Sequence, residues 1–470
     1  MNRFYKEIEE STKAYLGERN KECRKKFSQF FTSLPIAQLM ASKIKIQKEE
    51  ITLLEPSAGL GVLIYLSVLE LKKRNVKKIK ITAIEYDENL CKILEENLKF
   101  LKEELAQEME ISFKINNNNF IELYGKFWGN NQLEIFEEKL EKYDLIISNP
   151  PFKKINKESK ENIYFGKFIT GQPNIYHLFI ALSLKLLEDN GQYIVISPKN
   201  YLGGRYTQNL RKFIFQEYSL VYLHLFDERN KFFGNEVLQE ICIASFLKRK
   251  CENLEITYNG NLKNPFKVKI SKILVPGTYG LFFPRKKEDM ELLEKVSKNG
   301  LKLSEQNLKF NIGKVVQFRI DDKDKSVELY NKDKEEIPLL IVSHIKRNTI
   351  EYKKIGREHK QKNISIVFNE HTENKVIKNE NYVIFRKNVD YESEYFIQAV
   401  VYRKEFFNTE YIGIDSNLVY ISDESGLSLE KAQKICEYLN SREFENYYKM
   451  INNSHTINGY EINQMLFPIF

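Results

Sequence analysis

Residues 149–152 read Asn-Pro-Pro-Phe and directly follow the apolar segment 143–148. Two adjacent prolines fix φ twice and remove two N–H donors, so the carbonyls around them remain available as acceptors. The amino group of a purine is a poor nucleophile, because its lone pair is delocalised into the ring. The Asn149 side-chain oxygen and the Pro150 carbonyl can each accept one amino hydrogen and so stabilise the charge that develops on the nitrogen. The pattern predicts methylation of an amino nitrogen, with Phe152 stacked on the base; a rigid loop with a packing phenylalanine is the alternative.

Two features upstream could hold the methyl donor. Residues 55–61 read Glu-Pro-Ser-Ala-Gly-Leu-Gly after a strand-like segment, and a G-x-G turn lets a ligand approach the backbone and the start of the next helix. A full dinucleotide fingerprint needs a third glycine where the chain has Ile64, which weakens an NAD interpretation. Glu85 ends the next strand-like segment and can accept both hydroxyls of a ribose. Plain turn chemistry and a solvated glutamate are the alternatives.

The elements that must position these residues alternate between strand-like and helical segments. This alternation predicts an α/β fold with a doubly wound, mostly parallel sheet, whose last two strands form an antiparallel hairpin at the edge. After about residue 255 the alternation stops, which indicates a second, mixed α/β domain with its border near Asn253. The predicted strands are 51–55, 80–85, 111–115, 143–148, 191–197, 219–226 and 237–248.

Composition excludes several classes of protein. The 470 residues contain 73 Lys and Arg against 65 Asp and Glu, a net charge of +8 that permits a polyanionic partner. No apolar run approaches the roughly 20 residues of a membrane span, and the charged start has no signal core. The five cysteines are scattered without metal-ligand spacing. We therefore expect a cytoplasmic protein that binds no metal.

The order of the G-x-G loop, the acidic strand end and Asn-Pro-Pro-Phe resembles the adenine-N6-specific DNA methyltransferases of the gamma arrangement, as in the Taq-type enzymes. Residues 26–33, Lys-Phe-Ser-Gln-Phe-Phe-Thr-Ser, are similar to the family's segment that closes over the cofactor. The resemblance implies a seven-stranded, Rossmann-like S-adenosylmethionine-dependent catalytic domain at 1–253 and a DNA target-recognition domain at 254–470. By position, Asn119 replaces the family's aspartate that accepts from the adenine amino group, and Phe120 lies against the adenine ring.

Further matches resemble the Pst/Acc-type modification enzymes. The loop 227–240 ends in Val-Leu-Gln-Glu, and in the family an aromatic residue of this loop stacks on the extruded base; Phe233 is our choice and Phe232 the reserve. Segments 313–319, 338–340, 439–441 and 453–458 also match the subgroup. The resulting site prediction is catalytic Asn149, Pro150, Pro151 and Phe152, base-stacking Phe233, and cofactor-binding Phe31, Thr32, Glu55, Pro56, Ser57, Ala58, Gly59, Gly61, Glu85, Asn119 and Phe120.

Adenine must leave the duplex to be methylated. Basic and amide side chains could then contact phosphates or bases, and for each of them a solvated surface residue is the alternative. The candidates are Lys153, Lys154, Lys157, Lys199, Arg205, Arg211, Lys212, Arg319, His344, Lys346, Arg347, Arg386, Lys387, Asn440, Asn453, His455 and Asn458.

The sequence thus predicts a site-specific double-stranded DNA adenine-N6 methyltransferase of a type II restriction-modification system, with a separately encoded endonuclease as functional partner. The segment before Thr32 is too short for an added nuclease domain, so we expect no fused nuclease. The alternatives are the same chemistry on RNA or on a protein glutamine, a solitary epigenetic enzyme without a nuclease, and a DNA-binding protein with a decayed pocket.

Overall fold

The structure is a computed structural model. It describes residues 32–128, 140–156, 158–166, 168, 170–171, 174–226, 240–259, 262, 264–356, 361–389, 394–451 and 456–470. Two compact units divide the chain. The first extends to Leu274 and includes Thr278–Leu281, and the second comprises Val275–Gly277 and Phe282–Phe470.

The first unit contains a nine-stranded sheet in the order β3-β2-β1-β4-β5-β7-β6-β8-β9. The strands are β1 (Glu50–Glu55), β2 (Lys78–Glu85), β3 (Glu110–Asn117), β4 (Tyr143–Ser148), β5 (Leu187–Pro198), β6 (Ser219–Leu225), β7 (Ile241–Leu247), β8 (Asn253–Tyr258) and β9 (Phe266–Lys269). The helices are α1 (Leu34–Ala41), α2 (Val62–Lys73), α3 (Glu88–Glu104), α4 (Phe120–Gly125), α5 (Lys160–Phe165), α6 (Ile175–Lys185) and α7 (Gln208–Glu217).

The central strands are buried along their whole length. All residues of β4, β6 and β7 are buried, as expected for strands covered on both faces. Helix α3 shows how a covering helix forms: Asp87 caps its first turn, and Leu90, Leu94, Leu98 and Leu101 recur on one buried face. The predicted doubly wound α/β fold is confirmed.

Parallel pairing places the functional loops together. Strands β1 and β2, β2 and β3, β1 and β4, and β4 and β5 all pair in parallel. Because the carboxyl ends of parallel strands meet at one edge, the segments that follow β1, β2, β3 and β4 lie side by side. Ligands of open α/β sheets bind at this edge.

Two details of the predicted sheet differ. Strands β6 and β7 are antiparallel as predicted, but β7 lies between β5 and β6 and not at the edge. The sheet also has nine strands and not seven. Strand β8 pairs in parallel with β6 and buries Leu254 and Ile256, and β9 then pairs antiparallel with β8. The first compact unit therefore runs about 20 residues beyond the predicted border at 253.

The second unit is a mixed α/β assembly of short elements. Its four-stranded sheet has the order β12-β22-β19-β20 and its five-stranded sheet the order β13-β17-β14-β21-β18. Two short strands, β10 (Leu274–Val275) and β11 (Gly280–Leu281), lie where the chain divides into its two units, and β11 belongs to the first unit. The strands of the second unit are β12 (Leu308–Ile312), β13 (Lys325–Ser326), β14 (Glu336–Leu340), β15 (Ile345–Lys346), β16 (Thr349–Ile350), β17 (Ser365–Val367), β18 (Val376–Lys378), β19 (Tyr382–Arg386), β20 (Ala399–Tyr402), β21 (Tyr411–Ile414) and β22 (Leu418–Asp423). The helices are α8 (Lys287–Asn299), α9 (Leu429–Leu439), α10 (Arg442–Ile451) and α11 (Gly459–Ile462). Among the described residues, no helix has the length and apolar character that crossing a membrane requires.

Candidate active site

A cavity of about 340 Å³ lies at the carboxyl edge of the first sheet. It is lined by residues from the segments that follow β1, β2, β3 and β4 and from helices α5 and α6. These are Pro56, Ser57, Gly59, Ile84, Glu85, Tyr86, Asp87, Leu90, Asn118, Asn119, Phe120, Glu122, Asn149, Pro150, Pro151, Lys153, Glu161, Ile175 and Phe179. The three motifs recognised in the sequence therefore share one pocket.

The Glu85 carboxylate ties the first two loops together. Its Oε2 accepts a hydrogen bond from the Gly59 backbone N–H at 2.8 Å, and its Oε1 accepts one from the Asp87 N–H at 2.9 Å. Burial raises the pKa of Glu85, and the backbone N–H donors oppose that shift. The carboxylate thus lies in the cavity wall in a fixed orientation.

Gly61 is required by the backbone at the start of α2. Its φ is +83°, and a Cβ built there would lie 2.8 Å from the Leu94 Cδ1 atom. Both the left-handed conformation and the close helix contact favour glycine. Gly61 therefore shapes the loop without lining the cavity.

Glu55 lies beneath the loop as a buried carboxyl group. It is 2% exposed, and its Oε2 has no hydrogen-bond partner among the described residues. Burial, followed by the nearby Glu85 charge, raises the pKa of Glu55 well above its ordinary value. Ala58 is also buried, and its N–H donates to the Ile84 carbonyl at 2.9 Å. Glu55 therefore lies under the loop as a buried carboxyl group that favours its protonated form, and it does not line the cavity.

Asn119 begins helix α4. Its Oδ1 accepts from the backbone N–H of Ile121 at 2.9 Å and from that of Glu122 at 3.4 Å. Asn119 lines the cavity as predicted, but the oxygen predicted to accept from adenine also caps the helix. Phe120, 2% exposed, packs against Phe179 with ring centroids 4.9 Å apart, and both rings line the cavity.

The Asn149 side chain is oriented by Thr32. The Asn149 Nδ2 donates to the Thr32 Oγ1 at 3.0 Å, and the Asn149 backbone carbonyl accepts from the Ser57 Oγ at 3.1 Å. Pro150 and Pro151 line the cavity beside it. These bonds connect the Asn-Pro-Pro-Phe turn to the loop after β1 and to the segment that precedes α1.

Phe152 is not among the residues that line the cavity. The side chain is half-buried and packs against the core of the first unit. Its ring meets the Tyr176 ring edge to face, with centroids 6.0 Å apart. Six of the candidate residues lie outside the described part of the chain: Phe31, Lys157, Phe232, Phe233, Asn453 and His455.

Several of the candidate DNA contacts instead stabilise the protein itself. Arg211 is fully buried and donates to the carbonyls of Tyr201, Gly204 and Thr278, so the prediction of a phosphate contact at Arg211 is wrong. Lys199 pairs with Glu240.

Several of the candidate DNA contacts in the second unit also bond to other parts of the protein. Arg386 donates to the Ile345 carbonyl, and the Asn440 side chain binds both backbone groups of Ala399. His344 is buried, Arg347 donates to the Asn440 carbonyl, and Asn458 caps α11. The exposed candidates are Lys153, Lys154, Arg205, Lys212, Arg319 and Lys346.

Sequence reasoning missed much of the cavity wall. Tyr86 and Asp87 directly follow Glu85, and their place after a strand end was a usable signal. Ile175 and Phe179 lie one turn apart on α6, which offered no sequence signal because the helix is apolar on every side. Glu122 and Glu161 add two carboxylates to the wall.

Comparison with known proteins agrees with this geometry. A model of the Eco57I restriction-modification methylase family matches residues 37–233, which include the loop after β1, Glu85 and the Asn-Pro-Pro-Phe turn. Type II methyltransferase M.BsuBI of Bacillus subtilis is 28% identical over 456 residues, 95% of this chain and 88% of that protein. Type II methyltransferase M.PstI of Providencia stuartii is 27% identical over 461 residues, 95% of this chain and 87% of that protein. Over 95% of its length the chain is therefore similar to type II methyltransferases.

The relatives cover both units of this methyltransferase, and the family model covers part of the first unit. A third relative, Type II methyltransferase M.AccI of Acinetobacter calcoaceticus, is 31% identical over 218 residues, 45% of this chain and 35% of that protein. The resemblance to restriction-modification methyltransferases and the predicted DNA methyltransferase activity are confirmed by these matches. The carboxyl groups in the cavity wall (Glu85, Asp87, Glu122 and Glu161) and the apolar rings of Phe120 and Phe179 fit a cofactor with a cationic part and a flat ring.

Proposed function

We propose that this methyltransferase transfers the methyl group of S-adenosylmethionine to N6 of an adenine extruded from double-stranded DNA at a specific sequence. The observation that carries the proposal is the position of Asn149. Its amide lies at the cavity wall, bonded through Nδ2 to Thr32, and its main chain is bonded to the loop after β1. The carbonyl groups of the turn are thereby held beside the cofactor cavity.

The cavity suits the methyl donor in size and chemistry. Its volume of about 340 Å³ lies in the range of small-molecule sites. Glu85 would accept from the ribose hydroxyls, Phe120 and Phe179 would face the adenine ring, and Asn119 would contact its edge. Glu55, which directly precedes the loop, remains part of the proposed cofactor site. S-adenosylmethionine, when bound, supplies a methyl group on a sulfonium, which is electrophilic without metal assistance.

The chain's own groups would activate the nucleophile. The Asn149 side-chain oxygen and the Pro150 carbonyl accept the two hydrogens of the adenine amino group and stabilise the positive charge that grows on N6. Thr32, by accepting from Nδ2, keeps the amide oxygen turned towards the substrate. No strong general base is needed, because the amine can lose its proton after the bond to carbon has formed.

We further propose that residues 254–470 contribute the recognition of the target sequence, and that the enzyme protects DNA from a separately encoded endonuclease. Stacking of the extruded base by Phe152 and Phe233 remains part of this proposal. Phe152 directly follows Pro151, which lines the cavity, and this position supports the first contact.

The test is expression of wild-type and Asn149→Ala enzyme in a host without other methylation, followed by modification-sensitive sequencing of its DNA. We expect N6-methyladenine at one sequence motif with the wild type and none with the variant. Calorimetric titration should show that the variant still binds S-adenosylmethionine, which separates lost chemistry from lost folding.

Two results would contradict the proposal: unmodified DNA in the wild-type host, or full methylation by Asn149→Ala. An assay of labelled methyl transfer to DNA, RNA and protein then identifies the substrate class, since methylation of RNA or of a protein glutamine would leave the DNA unlabelled.

A further inference from the structure

Phe318 in the second unit is the most exposed large hydrophobic residue in the described part of the chain. Its side chain is 84% exposed, and it lies in the middle of the short 3-10 turn Gln317–Arg319. Single exposed apolar residues are common on protein surfaces, so exposure alone does not indicate a function. What distinguishes Phe318 is the rigidity of the turn and the charges beside it.

The turn is anchored on both sides of Phe318. Val315 and Ile320 are buried in the core of the second unit. Within the turn, the Arg319 N–H donates to the Val316 carbonyl at 2.8 Å, and the Gln317 Nε2 donates to the Asp415 Oδ2 at 3.1 Å. Buried flanks and internal hydrogen bonds leave little freedom to the residue at the tip.

The segment that leads into the turn docks tightly on its neighbour. Gly313 donates to the Leu418 carbonyl at 2.9 Å, and Val315 donates to the Ile414 carbonyl at 3.0 Å. A Cβ at position 313 would lie 2.1 Å from the Asp415 carbonyl oxygen, so only glycine permits this approach. The turn is thus fixed to the end of β21 and presents Phe318 to the solvent. Because the turn is already ordered, little further backbone entropy would be lost when Phe318 binds a partner.

Positive charge accompanies the aromatic ring. The Arg319 guanidinium lies over the Phe318 ring, 5.6 Å from its centroid. Arg319 and Lys314 are both exposed, and neither forms an ion pair with another described residue. An aromatic face beside unpaired cations is a combination that binds nucleic acid, because the ring stacks on bases and the cations bind phosphates.

We propose that Phe318 stacks on a base of the double-stranded DNA substrate, with Arg319 on an adjacent phosphate. Extrusion of one base opens a gap in the stack, and apolar side chains on rigid turns fill or widen such gaps in other DNA-binding proteins. Phe318 is then a determinant of DNA binding outside the catalytic cavity. This inference rests on the proposed function, since it requires DNA as the substrate.

The test uses the full chain and a duplex that contains the motif found methylated in the expressing host. Because Trp128 is the single tryptophan of the chain, a Trp128→Phe background makes Phe318→Trp the only tryptophan signal. We expect the duplex to quench this fluorescence. Phe318→Ala should weaken duplex binding about tenfold, with unchanged thermal stability and unchanged binding of S-adenosylmethionine.

Phe406→Ala is the matched control, since Phe406 is a partly exposed aromatic residue of the same unit, 44% exposed. We expect this variant to bind the duplex as the wild type does. Unchanged affinity of Phe318→Ala, equal losses in both alanine variants, or no quenching of Phe318→Trp would overturn the inference. Absence of methylated DNA in the wild-type host would instead overturn the proposed function.

Discussion

The hydrogen bond between Thr32 and Asn149 makes a quantitative prediction about catalysis. The Thr32 Oγ1 accepts from the Asn149 Nδ2 at 3.0 Å, and this bond sets the rotation of the amide. Thr32→Val keeps the volume of the side chain and removes the acceptor. The net worth of such a bond is about 0.5–1.5 kcal/mol, which corresponds to a factor of roughly 2 to 13 in rate if the bond is needed in the transition state.

We therefore expect Thr32→Val to lower kcat for DNA methylation about 2- to 13-fold while the thermal stability changes little. Thr32→Ser is the control, because it retains the hydroxyl acceptor and should stay within about twofold of the wild type. Single-turnover methylation of a duplex with labelled S-adenosylmethionine measures the chemical step. Equal impairment of both variants, or an unimpaired Thr32→Val, would refute the assigned role of Thr32.

Two further predictions concern stability. Gly61→Ala should lower the free energy of unfolding by about 1–3 kcal/mol, because the new side chain would stand on a backbone with a φ of +83° and its Cβ would lie 2.8 Å from the Leu94 Cδ1 atom. Gly426→Ala should lower it less, because Gly426 has a φ of +95° but open space around it. Thermal denaturation of the two variants measures the difference. Burial lowers the pKa of His177 from 6.5 to about 3, so the unfolded chain takes up a proton there before the folded chain does. The free energy of unfolding should therefore fall as the pH drops from 6.5 towards 3. His177 alone accounts for a fall of about 2 kcal/mol between pH 8 and pH 5. Denaturant titrations at these two pH values should show a smaller fall for His177→Gln.

The resemblance, the fold class and the convergence of the three motifs on one cavity could be predicted from the sequence because each depends on local patterns. Glu85 ends a β-branched run, and the turn at 149–152 follows a short apolar run; both runs are typical of strands in a parallel sheet. Parallel strands bring their carboxyl ends to one edge of the sheet, so the motifs that follow these strands come together there, whatever the positions of the connecting helices.

Other features depend on contacts between distant parts of the chain. No local pattern separates the residues of the first loop that line the cavity, such as Ser57, from those that lie beneath it, such as Glu55. The Thr32–Asn149 bond joins residues 117 positions apart. Arg211 has the sequence environment of a surface cation, but in the interior its guanidinium donates to three carbonyls, two in the segment 201–204 and one at Thr278.

The extent of the sheet was likewise decided by tertiary structure. Strand β8 carries an ordinary alternating pattern, and only the open edge of β6 determines that it extends the first sheet. The same applies to Phe318, whose exposure depends on the anchoring of its turn to Asp415 and Ile414. Sequence periodicity specifies which residues can be buried; the partners that bury them, or leave them exposed, are set by packing across the whole chain.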